Sequence, residues 1–144
     1  MRTDRDFIPL NIAVLTVSDT RTLEQDTSGA LLAERVTSSG HRLHDRQIVK
    51  DDIYALRAVV SQWIADPDCQ VVLLDELTYM LTYGYLDSDR VCQALESRPA
   101  DQHVIITGRN ASDRLTGLAD TVSEVRDIKH AFNSGIRVQK GIDY

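Results

Sequence analysis

Two short runs, NIAVLTV at residues 11–17 and VVLL at residues 71–74, are apolar at nearly every position. A strand of that kind has no face to give to water, so both faces must be covered. A parallel sheet sandwiched between helices meets that demand. Between and after these runs the chain alternates helical and extended patterns. Asp26, Thr27 and Ser28 offer capping oxygens ahead of Leu31, Leu32 and Val36, and Gly40 closes that helix. Asp51 or Asp52 caps the next, where Ile53, Leu56, Val60, Trp63 and Ile64 form one stripe before Pro67. A third begins at Asp87 or Ser88, turns Val91, Ala94 and Leu95 inward and ends before Pro99.

Further strands are expected in HRLHDRQIV (41–49), in HVIITG (103–108) and in TVSEV (121–125), with a short helix in SDRLTGLAD (112–120). The first of these is charged and belongs at or near an edge. The tail DIKHAFNSGIRVQKGIDY carries no clear pattern. Repeats, low-complexity stretches and linkers are absent, and 144 residues suit one domain. The expectation is a single three-layer, doubly wound α/β domain over residues 1–144, with about five mainly parallel strands. Its strand order is 2-1-3-4-5 or 2-3-1-4-5.

A hydrophobic fraction of 42% with 26% charged residues is ordinary for a globular chain. The net charge of −6, with Lys and Arg scattered, argues against a nucleic-acid or anionic-membrane partner. The opening MRTDRDFIPL does not resemble a signal peptide, and no apolar run approaches ~18 residues, so a cytoplasmic location is expected. Cys69 and Cys92 stand alone and read as reduced, packed thiols. His41 and His44 fall in a strand, where positions three apart face opposite ways, which disfavours a shared metal.

In an open α/β sheet the ligand crevice lies at the carboxyl ends of the strands. That edge should gather Ser18, Asp19 and Thr20 after the first strand, and Asp75 and Glu76 after the third. Thr107, Gly108, Arg109 and Asn110 follow the fourth. The apolar run ending in Asp75-Glu76 has the form of a Walker B strand, whose carboxylates hold the Mg²⁺ of a nucleotide. That use needs a glycine-rich phosphate loop earlier in the chain. The only glycines before residue 75 are Gly29 and Gly40, neither in such a loop, and Asp19, Glu24 and Asp26 occupy the turn instead. Carboxylates there repel a triphosphate. Three converging carboxylates could still hold a hydrated Mg²⁺, with Arg109 pairing with them or with a ligand phosphate.

The segments FIPLNIAVLTVSDTRT, DTSGALLAERV, GHRLHDRQIVKDDIYALRA and WIADPDCQVVL resemble the N-terminal half of MoaB-type molybdenum cofactor biosynthesis proteins. The segments VVLLDELTYMLTYGYLD, QALESRP, HVIITGRN, LADTVSEVRDIKHAF and QKGIDY resemble the C-terminal portion of BtuR/CobO-type ATP:corrinoid adenosyltransferases. The two resemblances imply a chimera of a MoaB-like half, 1–72, and an adenosyltransferase-like half, 73–144, with the seam in Gln70 to Leu74. A Thr-Gly-Gly-Thr-Gly loop of the first family and the ATP-binding loop of the second are both missing. The resemblance places Ser18, Asp19, Thr20, Asp51 and the DTSG of 26–29 near a cofactor, and Asp75 and Glu76 near a metal. Arg109, Lys129 and His130 fall in family motifs. All of these would be vestigial.

No catalytic residue is assigned on this reading. A folded, non-catalytic scaffold is expected, with no cofactor beyond Mg²⁺ and a small-molecule ligand doubtful. Residual binding of Mg-ATP with weak adenosyl transfer, or a molybdopterin-binding module, are the alternatives. Tyr79 and Tyr83 would share a helical face with Tyr85 nearby, and could pack on the domain or in a homo-oligomer.

Overall fold

A computed structural model describes residues 6–50 and 52–137 of the chain. Four strands, β1 (Asn11–Val17), β2 (Arg42–Val49), β3 (Val71–Asp75) and β4 (His103–Ile106), form one sheet in the order β2-β1-β3-β4. Every neighbouring pair runs parallel. This is the 2-1-3-4 beginning of the first expected order and excludes the alternative with the second strand beside the third. The helices are α1 (Thr27–Ser38), α2 (Ile53–Ala65), α3 (Leu77–Thr82), α4 (Ser88–Glu96) and α5 (Asp113–Leu118).

The continuous apolar strands are central and clothed on both sides, as their composition requires. Ala13, Leu15 and Val17 of β1 and Val72 and Leu74 of β3 point to one face. There they meet Leu56 and Trp63 of α2 and Leu77 and Met80 of α3. The alternate positions, Val14 and Leu73, point to the other face and meet Val36 and Leu32 of α1. With α1 on one face and α2 and α3 on the other, the sheet is doubly wound in three layers. Trp63 anchors the larger core at 2% exposure, its indole N–H donating to Asp45 Oδ2 at 3.1 Å. Burying that much aromatic surface contributes about 3 kcal/mol or more.

The expected caps are in place. Asp26 accepts from the Gly29 amide, Asp52 from Tyr54 and Ala55 and Asp87 from Arg90, and Ser112, not singled out from sequence, caps α5 by accepting from the Leu115 amide. Of the two candidates ahead of α2, Asp52 is the cap; Asp51 lies outside the described residues. The strand β2 is at the edge and half-buried, as its charge suggested. It carries a bulge: Ile12 pairs with Leu43 but Ala13 with Asp45, leaving His44 as the extra residue. The bulge resets the alternation, so Asp45 turns toward Trp63 while Arg46 turns toward α1. His44 Nε2 lies 3.1 Å from Asp66, and His41 Nδ1 accepts from the Leu10 amide at 3.1 Å. Both histidines therefore have structural partners.

One expected strand does not form. TVSEV, residues 121–125, has no regular structure, with Val122 57% and Val125 100% exposed. As a strand its two valines, three apart, would face opposite ways, and β4 has little cover to offer either, since Ile105 is itself 48% exposed. The sheet therefore has four strands rather than five among the described residues. Lys129 and His130 are exposed in the irregular segment that follows α5. The QKGIDY motif, residues 139–144, lies outside the described residues. No helix among the described residues is long and apolar enough to cross a membrane.

Candidate functional site

The carboxyl ends of β1, β3 and β4 bring together two different arrangements. The first is a buried network at the N-terminus of α1. Asp26 is 1% exposed and its side chain is fully ligated. Its Oδ1 accepts from the Gly29 amide at 3.0 Å and the Ser28 hydroxyl at 3.2 Å. Its Oδ2 accepts from the Thr16 hydroxyl at 3.0 Å and from Arg46 at 3.1 Å. The same Arg46 nitrogen reaches the carbonyls of Asp26 at 2.9 Å and Leu23 at 3.1 Å. Burial by itself raises the Asp26 pKa, but the Gly29 amide, Arg46, Thr16 and Ser28 together outweigh it and hold the carboxyl below its ordinary range.

Ser28 joins this network to the end of β3. Its Oγ lies 3.2 Å from Asp26 and 3.1 Å from Asp75 Oδ2. One hydroxyl proton thus faces two carboxylates and can serve only one at a time. The other Asp75 oxygen accepts from Thr107 Oγ1 at 2.6 Å, and Thr107 Oγ1 in turn accepts from the Glu76 amide at 3.2 Å. Asp75 Oδ1 is therefore held by Thr107, while Oδ2 shares the one Ser28 proton with Asp26.

The second arrangement is a shallow cavity of about 110 Å³ beside α3, lined by Glu76, Thr78, Tyr79, Tyr83, Arg109 and Asn110. Its backbone is unusual. Glu76 (φ 61°) and Asn110 (φ 55°) are left-handed, and Gly108 (φ 142°) takes a conformation that side chains rarely allow. Asn tolerates that region, whereas for Glu it is strained. Thr78 is 3% exposed and its hydroxyl has no partner; a Cβ at residue 108 would overlap it. The three tyrosines cluster, with Tyr79 and Tyr83 ring centroids 4.4 Å apart, and remain about half exposed. A drug-sized ligand normally takes roughly 300 Å³ or more, so this hollow suits a fragment rather than a whole nucleotide.

The residues singled out from sequence separate accordingly. Asp75 enters the buried network, while Glu76 and Arg109 line the cavity with exposed side chains. Ser18 holds its own loop, accepting from the Arg21 amide at 3.4 Å, and Asp19 and Thr20 are exposed there. Among the described residues no three His, Cys, Asp or Glu side chains lie close enough together to hold a metal. Sequence reasoning saw Asp26 as a cap and missed Arg46 and Thr16 as its partners. Thr16, a lone hydroxyl in the apolar run of 11–17, was the signal available for that face.

Comparison with known proteins gives two sets of relatives. The corrinoid adenosyltransferase of Escherichia coli K12 is 50% identical over 103 residues, covering 69% of this chain and 53% of that protein. The Salmonella typhimurium corrinoid adenosyltransferase CobA is 54% identical over 84 residues, covering 58% of this chain and 43% of that protein. The molybdenum cofactor biosynthesis protein B of E. coli K12 is 46% identical over 90 residues, covering 62% of this chain and 50% of that protein. The chain thus spans about half the length of the curated relatives it matches. A crystal structure of molybdenum cofactor biosynthesis protein B aligns with a TM-score of 0.46 and 35% identity, over 50% of this chain and 45% of that one. The sequence profile of ATP:corrinoid adenosyltransferase BtuR/CobO/CobP matches residues 18–144. The chain belongs to the ATP:corrinoid adenosyltransferase family.

Proposed function

We propose that the chain is a folded, non-catalytic α/β scaffold of chimeric origin, in which a MoaB-like N-terminal part and an adenosyltransferase-like C-terminal part meet within β3. One observation carries the reading: the N-terminus of α1, where a nucleotide-binding α/β fold seats phosphate on backbone amides, holds the chain's own Asp26 carboxylate. Chemistry on a triphosphate depends on positioning and charge neutralisation, and a buried carboxylate at that point opposes both. Identity to both families supports the chimera. The apolar strand common to both resemblances, VVLL at 71–74, supports a junction there.

The test is direct. Purified chain is incubated with Mg-ATP and reduced corrinoid, and product is followed spectroscopically. No adenosylated corrinoid above the protein-free control is expected, and measurable turnover would overturn the proposal.

A second reading is favoured by the cavity beside α3. Arg109 supplies positive charge there, the tyrosines supply aromatic faces, and Thr78 carries a buried hydroxyl without a partner. These support weak retention of one part of Mg-ATP without transfer, the rest of the nucleotide lying outside the hollow of about 110 Å³. Binding to the folded state raises the melting temperature with ligand concentration. No shift at roughly millimolar Mg-ATP removes this second reading.

A further inference from the structure

The residues ahead of β1 are tied to the fold through the turn between α1 and β2. His41 Nδ1 accepts from the Leu10 amide at 3.1 Å. The same ring packs on Phe7, with centroids 5.0 Å apart and planes tilted by 46°. Gly40 leaves room for that contact, since a Cβ there would come within 3.1 Å of the Phe7 ring. Both ties run through one imidazole. Residues 6–9 are exposed and, among the described residues, make no hydrogen bond of their own. Beyond Leu10 the chain is fixed without His41. The Leu10 carbonyl accepts from the Arg42 amide at 2.9 Å. Asn11 donates its amide to Gln70 Oε1 and its side chain to the Asp68 carbonyl, both at 2.8 Å.

The bond to Leu10 sets the protonation of the ring. An amide N–H is received only by a ring nitrogen without a proton, so the imidazole is neutral and carries its hydrogen on Nε2. Adding a proton loads Nδ1 as well, and two N–H groups then face each other with no acceptor between them. No Asp, Glu, Lys or Arg side chain among the described residues bonds to this ring from the leading segment, from α1 or from β2. Asp6 and Arg42, the charged residues nearest in sequence, are exposed, and His44 is engaged with Asp66. We propose that His41 is an acid-operated latch on residues 6–10: neutral, it clasps the Leu10 amide, and protonated, it releases it. A cationic ring still attracts the Phe7 face, so the segment loosens at Leu10, next to the fixed Asn11, rather than leaving the surface.

Isotope-labelled protein is titrated by NMR from about pH 8 to about pH 5.5, a range in which histidines change charge. Long-range proton–nitrogen spectra at the upper end are expected to show His41 as the Nε2–H tautomer. Across the range the hydrogen-exchange protection of the Leu10 amide, corrected for its intrinsic rate, is expected to fall roughly fivefold, while that of Ala13 holds. His41→Asn is the control, because its side-chain oxygen accepts in place of Nδ1 and does not titrate; there the change at Leu10 should stay under about twofold. An Nδ1–H tautomer overturns the proposal, as does Leu10 protection that is flat in the wild type or falls equally in His41→Asn. If that variant does not fold, the wild type decides. A fall at Leu10 that shares its midpoint with the His41 ring resonances supports the latch, and one that follows another histidine overturns it.

Discussion

Thr107 donates its hydroxyl to Asp75 Oδ1 at 2.6 Å, tying the end of β4 to the end of β3. The Thr107 hydroxyl oxygen in turn accepts from the Glu76 amide at 3.2 Å, so one side chain closes the turn into α3. Thr107→Val keeps the shape and removes both bonds. Because Asp75 is half-buried and Glu76 can turn its amide to water, the expected loss is about 1–2 kcal/mol in urea unfolding. A change below a few tenths of that would show that water replaces the hydroxyl at no cost.

Asp26 makes stability depend on acid in a defined direction. Its folded pKa is depressed by the hydrogen bonds and Arg46, which outweigh burial. A depressed carboxylate contributes stability that is fully present above the unfolded value, near about 3.9, and is lost as pH falls through the folded value. Asp26→Asn keeps the size and cannot ionise. At pH 7 it should cost about 2–3 kcal/mol, since Arg46 loses its buried partner. The gap between wild type and variant should hold steady down to about pH 5 and close below about pH 4. Urea midpoints measured across that range check it, and a gap independent of pH would contradict the assignment.

Gly108 and Thr78 are coupled by space. At φ 142° a side chain is strained, and a Cβ would overlap the Thr78 hydroxyl. Gly108→Ala should therefore lose about 2 kcal/mol or more. Thr78→Ala removes a buried hydroxyl that has no partner and should be close to neutral. In the double variant part of the loss returns, because the overlap is gone while the backbone strain stays. A double-mutant cycle measures this, and strict additivity would sink the claim.

Glu76 is expected to be worse for stability than a smaller polar residue. It stands left-handed at φ 61° ahead of α3 and makes no side-chain capping bond. Glu76→Asn should gain about 0.5 kcal/mol, and Glu76→Val should lose about 1 kcal/mol or more. Thermal melts of the two variants suffice. A stabilising Val would mean that the turn relaxes freely.

The architecture was legible because its causes are local and periodic. Apolar runs such as Ala13 to Val17 and Val71 to Leu74 demanded cover on two faces, and Asp26, Asp52 and Asp87 marked helix starts. The failed strand at Thr121–Val125 shows the limit. Strand character alone does not place a segment in a sheet when β4 gives it no covered face. The site was less legible for a related reason. Asp75 and Glu76 are adjacent in sequence, yet one is drawn into a buried network and the other faces outward with a strained backbone. Arg46 meets Asp26 only because the bulge at His44 shifts the phase of β2, an irregularity that no period in the sequence announces. The halves inferred from sequence are joined by physical contacts of the same kind, since Ser28 and Asp75 come from opposite sides of the inferred seam.

The position of β1 between β2 and β3 has a kinetic consequence. Its amides are shielded by a neighbour on each flank and by apolar layers above and below, so they can exchange with deuterium only when the whole domain opens. Those of β4, a four-residue strand with a single partner, lie behind much smaller fluctuations. The order in which backbone protons are lost should therefore run inward from β4, with Ala13 to Leu15 the last to go.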